Sequence, residues 1–147
     1  PIMSSLWSYL GQKNIEPSSA TKFSIALFLM SLSYFVMALA GHFAEKSAVS
    51  VLWLVAVYFI MTIAELCLSP IGLSLVTKLA PKQMLSMIMG IWFLTSCVGN
   101  LLAGLWAGLY GTISASHLFL VLCGISLLGG IALTCCLPKF NKLLQKQ

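Results

Sequence analysis

One short segment of the sequence, ELCLSPIGLS at residues 65–74, places polar side chains inside an otherwise apolar stretch. On a helix, Ser69 and Gly72 follow Glu65 by four and seven positions and share its face. Glu65 also lies within about one residue of the middle of its predicted membrane span. A charge at that depth costs ~3 kcal/mol or more unless it faces a partner or water. The pattern therefore predicts a functional acid on a face that lines a cavity.

A carboxyl group in this position can exchange a proton for a cation. Burial favours the neutral acid, whereas an approaching cation favours the carboxylate. Glu65 is therefore a candidate site for coupling proton movement to a cationic substrate. The alternative is a structural Glu65 that stays neutral or is paired with a base on another helix.

Pro70 adds a backbone effect to the same helix. It cannot donate a hydrogen bond to the Leu66 carbonyl and crowds that group, which favours a bend near Gly72. Unpaired backbone at membrane depth is tolerated where protein or a water-filled cavity meets it. Secondary transporters commonly build midplane substrate sites in this way.

The composition requires a membrane environment for these residues. The chain has 147 residues, of which 60% are hydrophobic and 7% charged, against about 25% charged in soluble domains. We predict an all-α transmembrane helical bundle, one domain over 1–147, with four full helices after a half-helix. The predicted helices cover residues 1–10 (partial), 22–41, 51–79, 85–110 and 117–137, with Pro138 closing the last. Because residue 1 is Pro and no signal peptide follows, the chain is expected to be a fragment.

The lysines predict the orientation of the bundle. They flank the first and third connections and fill the C-terminal tail, whereas Lys46 is alone in the second connection. Under the positive-inside rule the C-terminus is cytoplasmic.

The span 85–110 carries a second candidate face, formed by Trp92, Ser96, Gly99 and Ala103. Trp92 lies too deep for the aromatic belt, so it either forms a wall for bulky substrate side chains or simply packs. Small residues at four-residue spacing, Gly99 with Ala103 and Gly104 with Gly108, predict that this helix packs inside the bundle.

Other chemistry is not indicated. The cysteines lie in apolar segments without C-x-x-C spacing, and no histidine cluster accompanies them, so neither a metal site nor a cofactor is predicted. No nucleophile stands beside a base at membrane depth, so no catalytic residue is assigned and an enzyme is not expected.

The segments ELCLSPIGLSLVTKLAP and MGIWFLTSCVGN resemble the tenth and eleventh helices of the proton-dependent oligopeptide transporter (POT) family of the major facilitator superfamily. The segments PIMSSLWSYLG and KFSIALFLMSLSYFVMALAG resemble the end of its eighth helix and its ninth. The resemblance implies a C-terminal part of a twelve-helix fold with both termini cytoplasmic. The short loop at 42–50 is similar to bacterial members, which implies a bacterial inner membrane.

The resemblance also implies roles for individual residues. The family's acid at Glu65 contacts the peptide amino group and takes part in proton-linked transport, so the coupling ion is H+ and the substrates are di- and tripeptides. Trp92 matches a pocket position, with Phe93 and Ser96 beside it. Ser69 is assigned to the binding site, and Pro70 and Leu73 to the cytoplasmic gate.

Part of the expected machinery must come from outside this sequence. No Arg or mid-membrane Lys is present to hold a peptide carboxylate, and the family places that clamp in its N-terminal half. That half is therefore an expected partner, besides peptides and lipid, and the 147-residue chain is expected to be inactive alone. Two alternatives remain: a major-facilitator carrier for a different organic solute, or a non-transporting membrane scaffold subunit.

Overall fold

The computed structural model describes residues 18–144, together with Tyr9 and Lys13. Within residues 18–144 it contains four long helices: α1 (Ser19–Ala44), α2 (Leu52–Leu79), α3 (Leu85–Ala107) and α4 (Ala115–Leu144). Each includes an apolar segment long enough to cross a membrane. The predicted all-α membrane bundle is confirmed. The predicted half-helix at 1–10 lies, except for Tyr9, outside the described residues.

Local chemistry explains where α1 begins and where α3 ends. Ser18 caps α1, because its Oγ accepts a hydrogen bond from the Thr21 backbone N–H at 3.3 Å, as N-cap serines commonly do. α3 ends at Ala107, three residues before the predicted 110. The chain turns there, and Gly111 has φ +98°, a left-handed conformation that only glycine adopts without strain.

The prediction that Pro138 closes the last helix is wrong. α4 runs on through Pro138 to Leu144. A proline removes one backbone donor, here the one that would reach the Thr134 carbonyl, and membrane helices often tolerate that loss.

α1 is the central helix and packs against both α2 and α4. Ser31 Oγ donates to the Cys123 carbonyl of α4 at 3.1 Å, whereas Ser33 Oγ donates to the Val57 carbonyl of α2 at 3.2 Å. Residues two positions apart on an α-helix are rotated by about 200°, so Ser31 and Ser33 lie on nearly opposite faces of α1. Each serine lies in a buried row of small residues spaced by seven: Ser24, Ser31 and Ala38 in one, Ala26, Ser33 and Ala40 in the other.

The α4 side of this packing uses the same spacing. Ser116 Oγ donates to the Ala38 carbonyl at 3.0 Å, and the Cys123 carbonyl accepts the bond from Ser31. Gly130 lies under the Phe28 ring, where a Cβ on the glycine would be 3.2 Å from Phe28 Cε1. The helices are antiparallel, since positions rise on α4 as they fall on α1. Seven-residue spacing of small residues is typical of left-handed helix packing at short distance.

α3 is the least packed helix. None of its residues is buried, and a Cβ on Gly99 or Gly104 would meet nothing within 4 Å. The prediction that these small residues pack inside the bundle is therefore wrong for this chain. The reason is geometric: α2 is the only long helix among the described residues that α3 contacts appreciably, and a cavity separates Gly99 and Ala103 from α4.

Candidate functional site

Glu65 lies at the centre of the 28-residue helix α2 and its side chain is exposed. Among the side chains that the structure describes, no lysine or histidine forms an ion pair with it. The paired form of the structural alternative therefore finds no partner in the described part of the chain. The acid is free to meet water, a substrate or another helix.

The face around Glu65 borders the contact with α1. Ala64 and Cys67 are buried on one side of α2, with 0% and 2% of their surface exposed. Glu65 and Ser69 are exposed beside them, while Gly72, on the same stripe, is buried. The predicted stripe is therefore open over its central part and covered at the end nearer the α2–α3 connection.

Trp92 of α3 covers that end. A Cβ built on Gly72 would lie 2.8 Å from Trp92 Cζ2 and 3.0 Å from Phe23 Cζ of α1. Real Cβ atoms do not approach other atoms to 2.8 Å, so only glycine allows the indole ring to lie here. This contact joins a residue of the predicted binding wall to the helix that carries Glu65.

The Trp92–Gly72 contact also sets the level of the other candidates. α2 and α3 are antiparallel, so one turn away from the contact brings Ser96 on α3 to about the level of Ser69 on α2. Both serines are exposed. A second turn reaches Glu65 on α2, and Asn100 stands at about that height on α3. The two helices thus present polar groups at matching depths.

The remaining candidates stay on open surfaces. Phe93 is 61% exposed and Leu73 is 37% exposed. Pro70 is exposed inside α2, which continues as a helix on both sides of it. The structure brings Trp92 onto α2, but it does not gather Phe93 and Leu73 with the acid.

Sequence reasoning missed Phe23, which shares the contact with Gly72 and Trp92. Its position in α1, far from both helices in sequence, carried no signal. Asn100, one position after Gly99 of the Trp92 face, was not among the predicted site residues. Its amide in an apolar span could have marked it, because polar side chains in membrane helices usually bind or pack against something. Within the described ranges no three His, Cys, Asp or Glu residues cluster to hold a metal.

Comparison with known proteins decides the family. The family model described as POT family matches residues 1–122. The chain belongs to the POT family.

Three bacterial POT relatives illustrate the likeness. The peptide transporter YePEPT of Yersinia enterocolitica is 45% identical over 111 residues, 74% of this chain and 22% of that protein. The di-/tripeptide transporter of Lactococcus lactis is 35% identical over 134 residues, 90% of this chain and 27% of that protein.

The dipeptide and tripeptide permease A of Escherichia coli K12 is 37% identical over 110 residues, 74% of this chain and 21% of that protein. A crystal structure of a mutant of the peptide transporter POT is similar with a TM-score of 0.85 and 32% identity, covering 97% of this chain and 28% of that one. The chain therefore spans about a quarter of the length of these POT proteins. All are transporters or permeases, which supports the non-enzymatic reading.

Proposed function

We propose that this chain forms part of a proton-coupled symporter for di- and tripeptides that works by alternating access. Its relatives are named as transporters and permeases for such peptides. The observation that carries the proposal is Glu65, an exposed acid at the centre of a membrane-length helix with no ion pair among the described residues. An acid in that place is functional by default.

In this proposal Glu65 binds the ammonium group of the peptide and releases its proton in exchange. The carboxylate and the ammonium form a charge-assisted hydrogen bond, while the protonated acid has little attraction for a cation. Ser69 and Ser96, exposed at matching depths on the two helices, offer hydroxyl groups to the peptide backbone. Trp92, with Phe93 at the edge, forms an apolar wall for peptide side chains.

Pro70 and Leu73 are proposed to serve the gate. Pro70 leaves the Leu66 carbonyl without its helical donor, so α2 can bend there at lower cost than elsewhere. Leu73 follows within one turn and is partly exposed. Bending at Pro70 would move Leu73 relative to Glu65 as the cavity opens and closes.

The rest of the site is proposed to come from the other parts of the transporter. A peptide also carries a carboxylate, and α2 and α3 contain no cationic side chain near Glu65 at membrane depth. An N-terminal half would supply that charge. The same proposal places the protein in a bacterial inner membrane with its C-terminus in the cytoplasm, in keeping with the lysine distribution.

Uptake of labelled dialanine by the complete transporter in proteoliposomes tests the proposal. We expect an inward proton gradient to drive uptake, and Glu65→Gln to abolish it. Thr62→Val is the matched control, because Thr62 is also exposed on α2 but its hydroxyl bonds the Tyr58 carbonyl of its own helix at 2.8 Å. Undiminished uptake by Glu65→Gln would contradict the role of Glu65. If the complete transporter carried another organic solute and dialanine did not inhibit that transport, a carrier of a different solute would be favoured.

A further inference from the structure

Phe23 of α1 and Trp92 of α3 meet at one point on α2. A Cβ built on Gly72 would lie 2.8 Å from Trp92 Cζ2 and 3.0 Å from Phe23 Cζ. The far ends of both rings therefore reach the same place beside the Gly72 backbone. The tip of the Phe23 ring stands next to the benzene edge of the indole, so it blocks movement of the indole toward α1.

Packing fixes the indole of Trp92 within the described part of the chain. Trp92 donates no side-chain hydrogen bond to another residue that the structure describes. Its own helix, α3, has no buried residue. A side chain without a polar anchor takes the rotamer that its neighbours leave open. The position of this ring therefore depends on Gly72 and Phe23.

Phe23 is held more firmly than the ring it supports. Ser18 caps this end of α1, and Ser24 Oγ, one residue after Phe23, donates to the Ala20 carbonyl at 3.2 Å. Ser24 is only 4% exposed, and α1 packs against both α2 and α4. Phe23 thus belongs to the central helix and Trp92 to the least packed one, so Phe23 is the support and the indole is the supported group.

An apolar wall selects substrates only if its position is fixed. A gap of about 0.5–1 Å already forfeits a quarter to a half of a dispersion contact. A wall that can retreat by that distance loses much of its attraction for a large side chain. Phe93, the other aromatic candidate, is 61% exposed. Of these two adjacent rings, Trp92 is the one that lies against α1 and α2.

We propose that Phe23 is a positioning residue that sets, through Trp92, the preference of the transporter for peptides with large apolar side chains. This inference rests on the proposed function, in which Trp92 forms the apolar wall of the peptide site. The peptide lies along the polar faces of α2 and α3, while Phe23 stands on the α1 side of the indole. A shorter side chain at residue 23 lets the indole retreat toward α1 and away from the peptide.

Competition for uptake of labelled dialanine by the complete transporter in proteoliposomes tests this role. The competitors are dialanine and the two dipeptides that combine alanine with phenylalanine. We expect Phe23→Ala to raise the half-inhibitory concentration of at least one phenylalanine dipeptide about fivefold relative to dialanine, the scale of one aromatic contact. Phe23→Leu shortens the side chain less and should give a smaller change of the same sign.

Two further comparisons separate positioning from a general loss of stability. In a Trp92→Ala background, Phe23→Ala should leave the ratio of half-inhibitory concentrations unchanged, because the group through which it acts is absent. Phe28→Ala is the matched control. Phe28 is also on α1, but its ring packs on Gly130 of α4, so its loss should leave the ratio as it is in the unmodified transporter.

Each result decides between the two roles. Uptake of labelled dialanine establishes that a variant is folded, and Phe23→Leu serves if Phe23→Ala is not. An equal loss of affinity for all three dipeptides would overturn the proposal. So would an unchanged ratio in both Phe23 variants, or the same shift in Phe28→Ala or in the Trp92→Ala background. If the unmodified transporter took up no dialanine, the proposed function itself would fail, which is a different outcome from unchanged selectivity.

Discussion

The indole ring of Trp92 lies directly on the backbone of Gly72, with Phe23 of α1 closing the third side. This contact lies between α3 and α2, the long helix that α3 packs against among the described residues. No residue of α3 is itself buried. The contact also fixes how far the polar groups of α3 stand from Glu65. A single hydrogen atom in place of a methyl group at residue 72 makes the arrangement possible.

Replacing this glycine should loosen α3. In Gly72→Ala the new methyl group would overlap Trp92, and relieving such overpacking typically costs about 1–3 kcal/mol. We expect a lower free energy of unfolding in detergent micelles and altered Trp fluorescence. Gly99→Ala is the control, because a Cβ there would meet nothing within 4 Å. Equal stability of the two variants would show that the Trp92 contact does not hold α3.

The serines of α1 should each stabilise a different helix pair. Ser31→Ala removes the bond to α4 and Ser33→Ala the bond to α2. Interhelical hydrogen bonds in membrane proteins average about 0.6 kcal/mol and reach ~1.7. We expect a loss in that range for each variant, measured as the free energy of unfolding in mixed micelles.

Ser126→Ala provides the comparison for these serines, since Ser126 forms no hydrogen bond among the residues that the structure describes. Because Ser31 and Ser33 bond different helices, the double variant should show the sum of the two losses. If Ser126→Ala were as destabilising as the other two, the loss would reflect helix composition and not the interhelical bonds.

Pro70→Ala should trade transport rate for stability. The alanine N–H restores the donor to the Leu66 carbonyl, so α2 becomes more stable and harder to bend. In the complete transporter we expect a higher unfolding temperature and a lower maximal rate, with the apparent affinity for dialanine little changed. Pro81→Ala, in the connection before the turn Lys82–Met84, should alter neither. A faster Pro70→Ala variant would argue against bending at this position.

The orientation can be checked by labelling single cysteines in a variant whose five native cysteines are replaced. Ser47 lies in the α1–α2 connection and Gln83 in the α2–α3 connection, at opposite ends of α2. From the lysine distribution we expect Ser47→Cys to react with a membrane-impermeant maleimide in intact cells. Gln83→Cys should react only after permeabilisation. The reverse pattern would invert the proposed topology.

Local properties of the sequence were enough to predict much of the fold. The predicted span 51–79 differs from α2 by one residue, and 22–41 lies inside α1, because an apolar run of membrane length forms a helix whatever surrounds it. The exposed acid at the centre of α2 follows from the same reasoning. The predicted end of α4 was wrong because a proline inside a membrane helix destabilises it less than the usual role of proline as a helix-ending residue suggests.

Contacts between helices could not be read in this way. In a hydropathy profile of the sequence, the buried rows through Ser31 and Ser33 are not distinguished from the apolar residues around them. Their role depends on which partner helix each row meets, and Phe23 reaches Gly72 only because α1 and α2 are antiparallel in one register.

By itself, then, the sequence determined the membrane helices, the central position of Glu65 and the polar faces of α2 and α3, since these depend on residue type and helical period alone. Only the tertiary structure decided that α1 lies between α2 and α4, that Trp92 covers Gly72, and that α3 leaves its small-residue face open. Those relationships arise from steric fit between segments distant in the chain, and steric fit is a property of pairs of surfaces and not of either one alone.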